Sequence, residues 1–435
     1  MKNSNTFDYK GIGHIHFTMT LPANEKVPSL WKCLIAHMLR TLRYVLHHPV
    51  VFPQESELLF VTQSLNNYRS LQPITIHLTK DNWRLISVYD FPTSLIYRKA
   101  IKSLPELMRF YLTCNTDERY RIRRVFNYFA LAPGWCRVFT DYFKNCKALR
   151  TIIVANDHTM PTRCMIVSAR ELGIPVVYTQ HASVTEKFPP LIFSYSFLDG
   201  MDSYNKYKAL GRVAGKVILL GSPRFDEVII KQRMFDGLIR ESVGIGLNSM
   251  DSIDKALELC LYIKQRTGHK VIVRPHPRSM ATIDQSVFTR NGVDISDSRV
   301  ESSYVFFTHI SVLVANESGI HLDAAIFGIP TLLYNFSNNA VLDWYGYIRN
   351  GLTTLADTQE RVVDLINKIQ PAPDEKVQYY YAAFRTQFDG KIAETMASFI
   401  DSSWSEVEAD AFLKSSFEEV EPNLYIIKRQ TLNAN

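Results

Sequence analysis

Residues 312–334, VLVANESGIHLDAAIFGIPTLLY, have the pattern of a buried strand, a turn, a helix and a second buried strand. The turn carries Ser318 and Gly319, so backbone N–H groups should point outward where the helix begins. That end of a helix attracts anions, and a phosphate would suit it. Asp323, about one turn further along, could reach a sugar hydroxyl. An ordinary strand–turn–helix with a serine cap has the same pattern and stays an alternative.

A second segment, residues 269–278 (HKVIVRPHPR), has the pattern of a short β-branched strand. It ends in Arg274, His276 and Arg278, and Pro277 stiffens it. In an open parallel sheet, ligands bind outside the carboxyl ends of the strands. Both segments put polar residues at that edge, which predicts a site for a phosphorylated ligand. A buried histidine bonded to backbone is the alternative for His276, but the flanking arginines favour the site.

The two segments together resemble the C-terminal half of glycosyltransferases of the two-Rossmann, or GT-B, architecture. The likeness covers roughly residues 150–340. It is greatest to bacterial capsule and lipopolysaccharide enzymes that use CMP-activated acidic sugars and carry a His-Pro and a Ser motif. Similar patterns occur in teichoic-acid polyol-phosphate polymerases and in UDP-N-acetylglucosamine 2-epimerases. Residues 221–226, GSPRFD, resemble the turn that leads out of the N-terminal domain of this fold.

One departure from these relatives concerns the epimerases. Where they have Ser-Gly-Gly, this chain has Ser-Gly-Ile at residues 318–320, and Asp323-Ala324 stands where they have Glu-Glu. Epimerase activity is therefore not expected.

The resemblance implies an α/β protein with two Rossmann-like domains facing a central cleft. We expect an acceptor-binding domain over residues 1–225, a nucleotide-sugar-binding domain over 226–400 and a tail or helical extension over 401–435. The implied function is transfer of an acidic sugar, Kdo or a sialic-type acid, in bacterial surface polysaccharide synthesis. The donor would be CMP-linked, the acceptor a glycan or lipid-linked glycan, and the reaction a direct displacement.

Two other functions stay open at this point. The enzyme could use a UDP- or GDP-sugar or a CDP-polyol, for which Gly244-Ile-Gly246 could form a diphosphate pocket. The chain could also be a nucleotide-binding subunit without catalysis. Neither a metal nor a cofactor is expected, because no Asp-x-Asp follows a strand and no His/Cys group has ligand spacing.

The predicted nucleotide site combines residues that follow strands in the second half of the chain with the turn between the domains. Its members are Gly221, Arg224, Asn248, Arg274, His276, Pro277, Arg278, Glu317, Ser318, Gly319 and Asp323. The leaving phosphate is assigned to Arg274, His276, Ser318 and Gly319, with Arg224 as a further candidate.

The general base is expected in the first domain, at the carboxyl ends of two buried strands. Asn156-Asp157-His158-Thr159 follow the strand at 151–155, and Gln180-His181 follow the strand at 175–179. Asp157 is the first choice, because an ionised carboxylate needs no pKa tuning to accept a proton. His181 and His158 are the other candidates. Alternatively, Asp157 caps a helix and His181 only packs.

The composition of the chain indicates the cellular compartment in which it is expected. Its 435 residues are 46% hydrophobic, the formal net charge is +6, and six cysteines are scattered without a CxxC pair. The cysteines suggest free thiols in a reducing compartment. Neither a signal-peptide core nor an apolar run of about 18 residues is present in the sequence. A cytoplasmic protein is therefore expected.

Two basic, aromatic-rich segments, 28–48 and 117–129, are predicted helices. Such helices can lie on anionic membrane surfaces, which would make the protein peripheral to the inner face of the cytoplasmic membrane. The favoured alternative is a helix whose apolar face packs on the core. Nucleic acid is not an expected partner, because no known binding module accompanies the charge.

Further elements follow from local pattern. Residues 57–63, 74–78 and 83–89 are predicted strands, and 376–400 is predicted as one helix that crosses back to the first domain.

Overall fold

The computed structural model describes residues 7–19, 26–47, 50–234, 240–280, 283–402 and 405–428. The chain divides into two compact units. The first domain comprises residues 1–198, 203–223 and 393–435, and the second comprises 199–202 and 224–392.

The strands of the described residues form two sheets. They are β1 (Leu58–Thr62), β2 (Trp83–Ser87), β3 (Thr151–Val154), β4 (Val176–Thr179), β5 (Tyr195–Leu198), β6 (Lys216–Leu219), β7 (Ser242–Gly246), β8 (Val271–Arg274), β9 (Asp294–Ile295), β10 (Ile310–Ala315), β11 (Thr331–Leu333), β12 (Thr354–Leu355), β13 (Phe417–Glu421) and β14 (Leu424–Ile427).

The helices of the described residues connect and flank these strands. They are α1 (Tyr9–Ile12), α2 (His14–Thr18), α3 (Leu30–His47), α4 (Leu65–Ile76), α5 (Thr93–Ile101), α6 (Leu104–Thr113), α7 (Thr116–Arg124), α8 (Phe126–Asn145), α9 (Met160–Glu171), α10 (Met201–Leu210), α11 (Asp226–Met234), α12 (Ile253–Thr267), α13 (Ser286–Thr289), α14 (Ser303–His309), α15 (Ile320–Ile326), α16 (Gln359–Ile366), α17 (Asp374–Tyr380), α18 (Ile392–Ser402) and α19 (Glu406–Ser416).

The sheet of the first domain has the order β13-β14-β6-β5-β4-β3-β1-β2. All its neighbouring strands are parallel except β13 and β14. The central strands are buried along their whole length, as β3 (Thr151–Val154) is, because helices cover both faces of a parallel sheet. The strand order reverses between β1 and β3, which is where an open sheet of this kind binds its ligand.

The sheet of the second domain is entirely parallel, with the order β12-β11-β10-β7-β8-β9. Counted from β7, this is the 3-2-1-4-5-6 order of dinucleotide-binding domains. The order reverses between β7 and β10. The prediction of an α/β protein with two Rossmann-like domains is confirmed, whereas the cleft between them stays a prediction.

The residues after 400 differ from the predicted tail. They form α19 and the antiparallel pair β13–β14, and β14 lies parallel to β6, with Leu424 opposite Val217. An uncovered β6 would present a row of unpaired backbone groups, and the strand pair satisfies them. The predicted boundary at 225/226 lies two residues from the observed change at Pro223–Arg224.

Two predicted elements are wrong. Residues 74–76 end α4, whose first turn is capped by Ser64 and whose buried residues recur at helical spacing. The predicted helix 376–400 is split into α17 and α18. Between them Arg385 and Gly390 have φ of 54° and 77°, values that an α-helix cannot contain.

None of the helices within the described residues is long and apolar enough to span a bilayer. All six cysteines are free thiols, as predicted.

The glycines of β7 serve packing. A Cβ on Gly244 would lie 2.5 Å from Ile310 Cδ1 and 2.7 Å from Phe306 Cζ, and Gly246 also lies within the strand. The diphosphate pocket considered for these glycines is therefore not formed by them.

We expect Gly244→Ala to lower the free energy of unfolding by about 1–3 kcal/mol, because overpacking forces buried neighbours to shift. Gly319→Ala is the matched control. No atom lies within 4 Å of its Cβ position, and its φ is −61°, so its stability should stay within about 0.5 kcal/mol of wild type. Urea unfolding of both variants measures this. Equal stabilities would mean that β7 tolerates a larger residue.

Candidate functional site

At the strand-order reversal of the first sheet, Asp157 and His158 follow β3 and form a pair. Asp157 is 1% exposed, and its Oδ1 lies 2.8 Å from His158 Nδ1. The hydroxyl of Tyr207 donates to the other carboxylate oxygen. An ionised carboxylate only accepts, so Nδ1 carries the proton and Nε2 becomes the basic nitrogen of the ring.

His158 and Tyr207 stabilise the ionised form of Asp157. Burial acts to raise its pKa, but the hydrogen bond and charge of His158 and the hydrogen bond from Tyr207 outweigh burial, and the pKa is lowered. A carboxylate whose two oxygens are engaged is poorly suited to take a proton from an acceptor hydroxyl. The geometry therefore differs from the predicted base role of Asp157 and favours His158, oriented by Asp157.

His181 lies beside this pair. Its ring centroid is 5.7 Å from that of His158. The ring centroid of Phe188 lies 4.8 Å from that of His158. His181 is 8% exposed and follows β4. The structure thus brings the three predicted catalytic residues together. The helix-capping alternative for Asp157 is wrong, because the N-cap of α9 is Thr159 and the Asp157 carboxylate contacts His158 and Tyr207 instead.

Sequence reasoning missed the helices α1 and α2. Arg163 donates to the carbonyls of both Gly11 and Asp157, which ties this segment to the loop after β3. Burial, the charge of Arg124 and His158 lower the pKa of His16 to about 4. Burial and Arg163 lower the pKa of His14. Both histidines are therefore neutral near pH 7. The His-x-His spacing at 14–16 is the only signal that could have drawn attention to them.

In the second domain, His276 has a defined proton position. Its Nδ1 accepts a hydrogen bond of 3.2 Å from the backbone N–H of Arg278. The pKa of His276 is lowered by burial and by the charge of Arg278, so the ring is neutral and its proton lies on Nε2. Nε2–H can therefore donate to an anion. Pro277 and Arg278 are exposed beside it.

The turn after β10 is open on one side. The Ser318 hydroxyl accepts from the backbone N–H of Ile320 at 3.4 Å, and the Cβ position of Gly319 has no atom within 4 Å. β8 and β10 are separated only by β7, so their ends lie about 10 Å apart. His276 and Ser318–Gly319 thus flank the strand-order reversal from both sides.

Two predicted phosphate or nucleotide ligands have other partners. Arg274 is 8% exposed and donates to Ser296 Oγ at 2.6 Å and to the Glu301 carbonyl at 2.7 Å. The Glu317 carboxylate accepts from the backbone N–H groups of residues 342 and 344. Both side chains hold neighbouring segments in place, and their contacts with a donor stay predictions.

Asn248 and Gly221 shape turns. The side chain of Asn248 accepts from Met250 N, and its backbone donates to Asp251, whose other oxygen accepts from Asn316 at 2.7 Å. This connects the loops after β7 and β10. Gly221 belongs to the first domain, and its φ of 118° requires glycine.

Arg224 and Asp323 form a pair inside the second domain. Arg224 Nη2 lies 3.8 Å from Asp323 Oδ1, and this oxygen is buried without a hydrogen-bond partner although 26% of the side chain is exposed. Burial raises the pKa of Asp323, and Arg224 opposes it. The predicted contact of Asp323 with a sugar hydroxyl stays a prediction.

Asp199 is a neighbour of this pair that the sequence analysis did not select. It is 2% exposed, and burial raises its pKa to about 7, with Arg224 lowering it and Asp323 raising it. A carboxyl that titrates near neutrality beside a partly exposed arginine is a candidate functional group. Within the described residues, no group of three or more His, Cys, Asp or Glu side chains could hold a metal ion.

Comparison with known proteins gives similarity at the level of whole solved structures. No protein-family model matches the chain, and no curated protein sequence matches it. UDP-GlcNAc 2-epimerase from Methanocaldococcus jannaschii, solved with UDP-GlcNAc and UDP, is 14% identical, covers 79% of this chain and 99% of its own, and has a TM-score of 0.48. The epimerase from Neisseria meningitidis bound to UDP-GlcNAc is 12% identical (79% and 98% covered, TM-score 0.49). The wall teichoic acid polymerase TagF is 12% identical (87% and 98% covered, TM-score 0.46).

The buried Asp199 leads to a pH-dependent prediction. Between about pH 4 and pH 7 the folded protein keeps a proton that the unfolded chain has lost, so its stability falls as pH rises through that window. Asp199→Asn does not titrate. We expect it to gain about 2–3 kcal/mol over wild type between about pH 5 and pH 8. Urea unfolding at both pH values measures the gain. The exposed Asp294→Asn is the control, and an equal pH trend in both variants would contradict the raised pKa.

Proposed function

We propose that this protein is a glycosyltransferase that transfers an acidic sugar from a CMP-linked donor to a glycan or lipid-linked glycan in bacterial surface polysaccharide synthesis. The observation that carries the proposal is the Asp157–His158 pair at the strand-order reversal of the first sheet. A subunit that only binds nucleotide has no need of an oriented imidazole. The motifs around His276 and Ser318 support the donor side of the proposal.

The proposed step is a direct displacement. His158 Nε2 takes the proton of the acceptor hydroxyl while that oxygen forms a bond to the anomeric carbon. The bond between this carbon and the phosphate oxygen breaks, and CMP leaves with the electron pair. Asp157 stabilises the imidazolium that forms. His276 Nε2–H and the backbone at Ser318–Gly319 would donate to the phosphate as its negative charge grows.

The charges of the second domain favour a monophosphate leaving group. Arg274 is engaged by Ser296 and Glu301, and Arg224 is paired with Asp323. Arg278 remains as an exposed cation beside the neutral His276. A CMP-sugar has one negative charge on its phosphate and gains one more on transfer, whereas a diphosphate donor needs more compensation. The glycines of β7 do not form a diphosphate pocket either. Packing requires Gly244, and Gly246 lies within the same strand.

We expect His158→Ala to lower kcat/KM for transfer by about 10²–10⁴-fold, since it removes the base. CMP should still stabilise this variant against heat. The exposed His77→Ala is the matched control and should keep full activity. Radiolabelled or chromatographic transfer assays with CMP-Kdo and a CMP-sialic acid measure the rate.

Asp157→Asn tests the positioning role. The imidazolium that forms on proton transfer would lose its carboxylate partner, so kcat for transfer should fall while the KM for the donor and the melting temperature stay near those of wild type. A purely structural role would instead lower the melting temperature and weaken donor binding together with kcat. If His158→Ala stays active and His181→Ala is inactive, His181 is the base.

Donor binding is tested by thermal stabilisation with CMP, CDP, UDP and GDP. We expect CMP to stabilise the protein most. His276→Ala and Ser318→Ala should each weaken CMP binding about ten- to hundred-fold, because each removes a side-chain N–H or O–H donor to the phosphate, and such a charge-assisted contact is worth roughly 1.5–3 kcal/mol. A preference for UDP or GDP would contradict the CMP-linked donor, and binding without transfer from any donor would favour a non-catalytic subunit.

A further inference from the structure

Helix α3 packs on the first domain with its less apolar side. Cys33, His37 and Thr41 are buried, and they recur every four residues on one face. His37 Nδ1 lies 2.9 Å from Asn127 Oδ1, and the ring of Tyr44 stacks on Tyr97 with centroids 4.9 Å apart. This side of the helix is therefore fixed to α5 and α8.

The opposite side of α3 is an exposed apolar face. Its six large apolar side chains are between 56% and 74% exposed, and they are Trp31, Ile35, Met38, Leu39, Leu42 and Leu46. At 3.6 residues per turn they fall within about 100° of the helix surface. This arrangement is the reverse of the core-facing helix favoured from the sequence. Monomeric soluble proteins rarely leave a contiguous apolar surface of this kind uncovered.

The charged Lys and Arg side chains of the α3 segment are not accompanied by any acidic residue of that segment. From Lys26 to Gln54 the sequence contains four Lys or Arg residues and no Asp or Glu. By helical spacing, Lys32 and Arg43 follow the apolar face on one side, and Arg40 lies next to them. A second copy of the helix would bring like charges together without an acidic partner. The complementary occupant is a surface that is apolar inside and anionic outside.

We propose that α3 is an interfacial helix that docks the first domain onto an anionic lipid bilayer. The exposed apolar face would enter the boundary between headgroups and acyl chains, and the basic side chains would contact the phosphates. Val50, Val51 and Phe52, which are 47%, 64% and 37% exposed, continue the apolar character after the helix. The inference is independent of the donor and of the reaction.

Flotation of the full chain with vesicles tests it. We expect binding to phosphatidylcholine vesicles that contain about one third phosphatidylglycerol, with weaker binding to phosphatidylcholine alone and at high salt. The double variant Leu42→Glu/Leu46→Glu should bind more than about tenfold more weakly, because it places two acids on the apolar face. Both positions are exposed, so its circular dichroism and melting temperature should match those of wild type.

The control variant Val300→Glu/Val407→Glu makes the same chemical change at side chains that are 86% and 79% exposed elsewhere. It should bind like wild type, and an equal loss of binding would overturn the assignment to α3. Tryptophan emission should shift to shorter wavelength with anionic vesicles in wild type but much less in Trp31→Phe. If vesicles do not bind, and wild type forms a dimer that Leu42→Glu/Leu46→Glu converts to a monomer, the face is a protein interface instead.

Discussion

Right-handed crossovers can place helices on both faces of an open parallel sheet only if the strand order reverses, and each sheet of this protein reverses its order once. The candidate functional residues are arranged around these two reversals. Where the order reverses, the helices on either side leave the sheet in opposite directions, and the loops that follow the strands are left uncovered. Between β1 and β3 this position is occupied by the loop with Asp157 and His158, and between β7 and β10 by the loops with Asn248 and Ser318. Residues far apart along the chain thereby reach the same sheet edge.

Burial then decides which of the polar residues at these edges can act on a ligand. A buried ion must be compensated by partners. Arg274 is compensated by Ser296 and Glu301, and Asp157 by His158 and Tyr207. Several of the histidines near these edges are neutral. The histidines at 14, 16 and 276 have lowered pKa values, so they can donate or accept hydrogen bonds without adding charge.

The sequence predicted the sheet edges well, because buried parallel strands are continuous apolar runs and the polar residues at their carboxyl ends follow them directly in the sequence. The sequence could not predict which of these polar residues form hydrogen bonds within the protein. The partners of Arg274 lie 22 and 27 positions further along the chain, and Tyr207 lies 50 positions from Asp157. The pattern of 74–78 misled for a related reason. Its apolar and polar residues alternate, yet residues 74–76 end a helix that is capped by a serine ten residues earlier. The helix that begins after Ser64 therefore determines the structure of residues 74–76, although their local pattern is that of a strand.

The pairing of β14 with β6 also has a consequence for how the protein is made. β6 emerges from the ribosome before residues 224–392 of the second domain, whereas β14 emerges after them. Until then the edge of β6 is an open template to which other nascent chains could add a strand. The second domain can fold as a unit in the meantime, since its six strands are consecutive in sequence. The first domain is thus begun first and completed last, and the interval between is the period in which its assembly is most exposed to error.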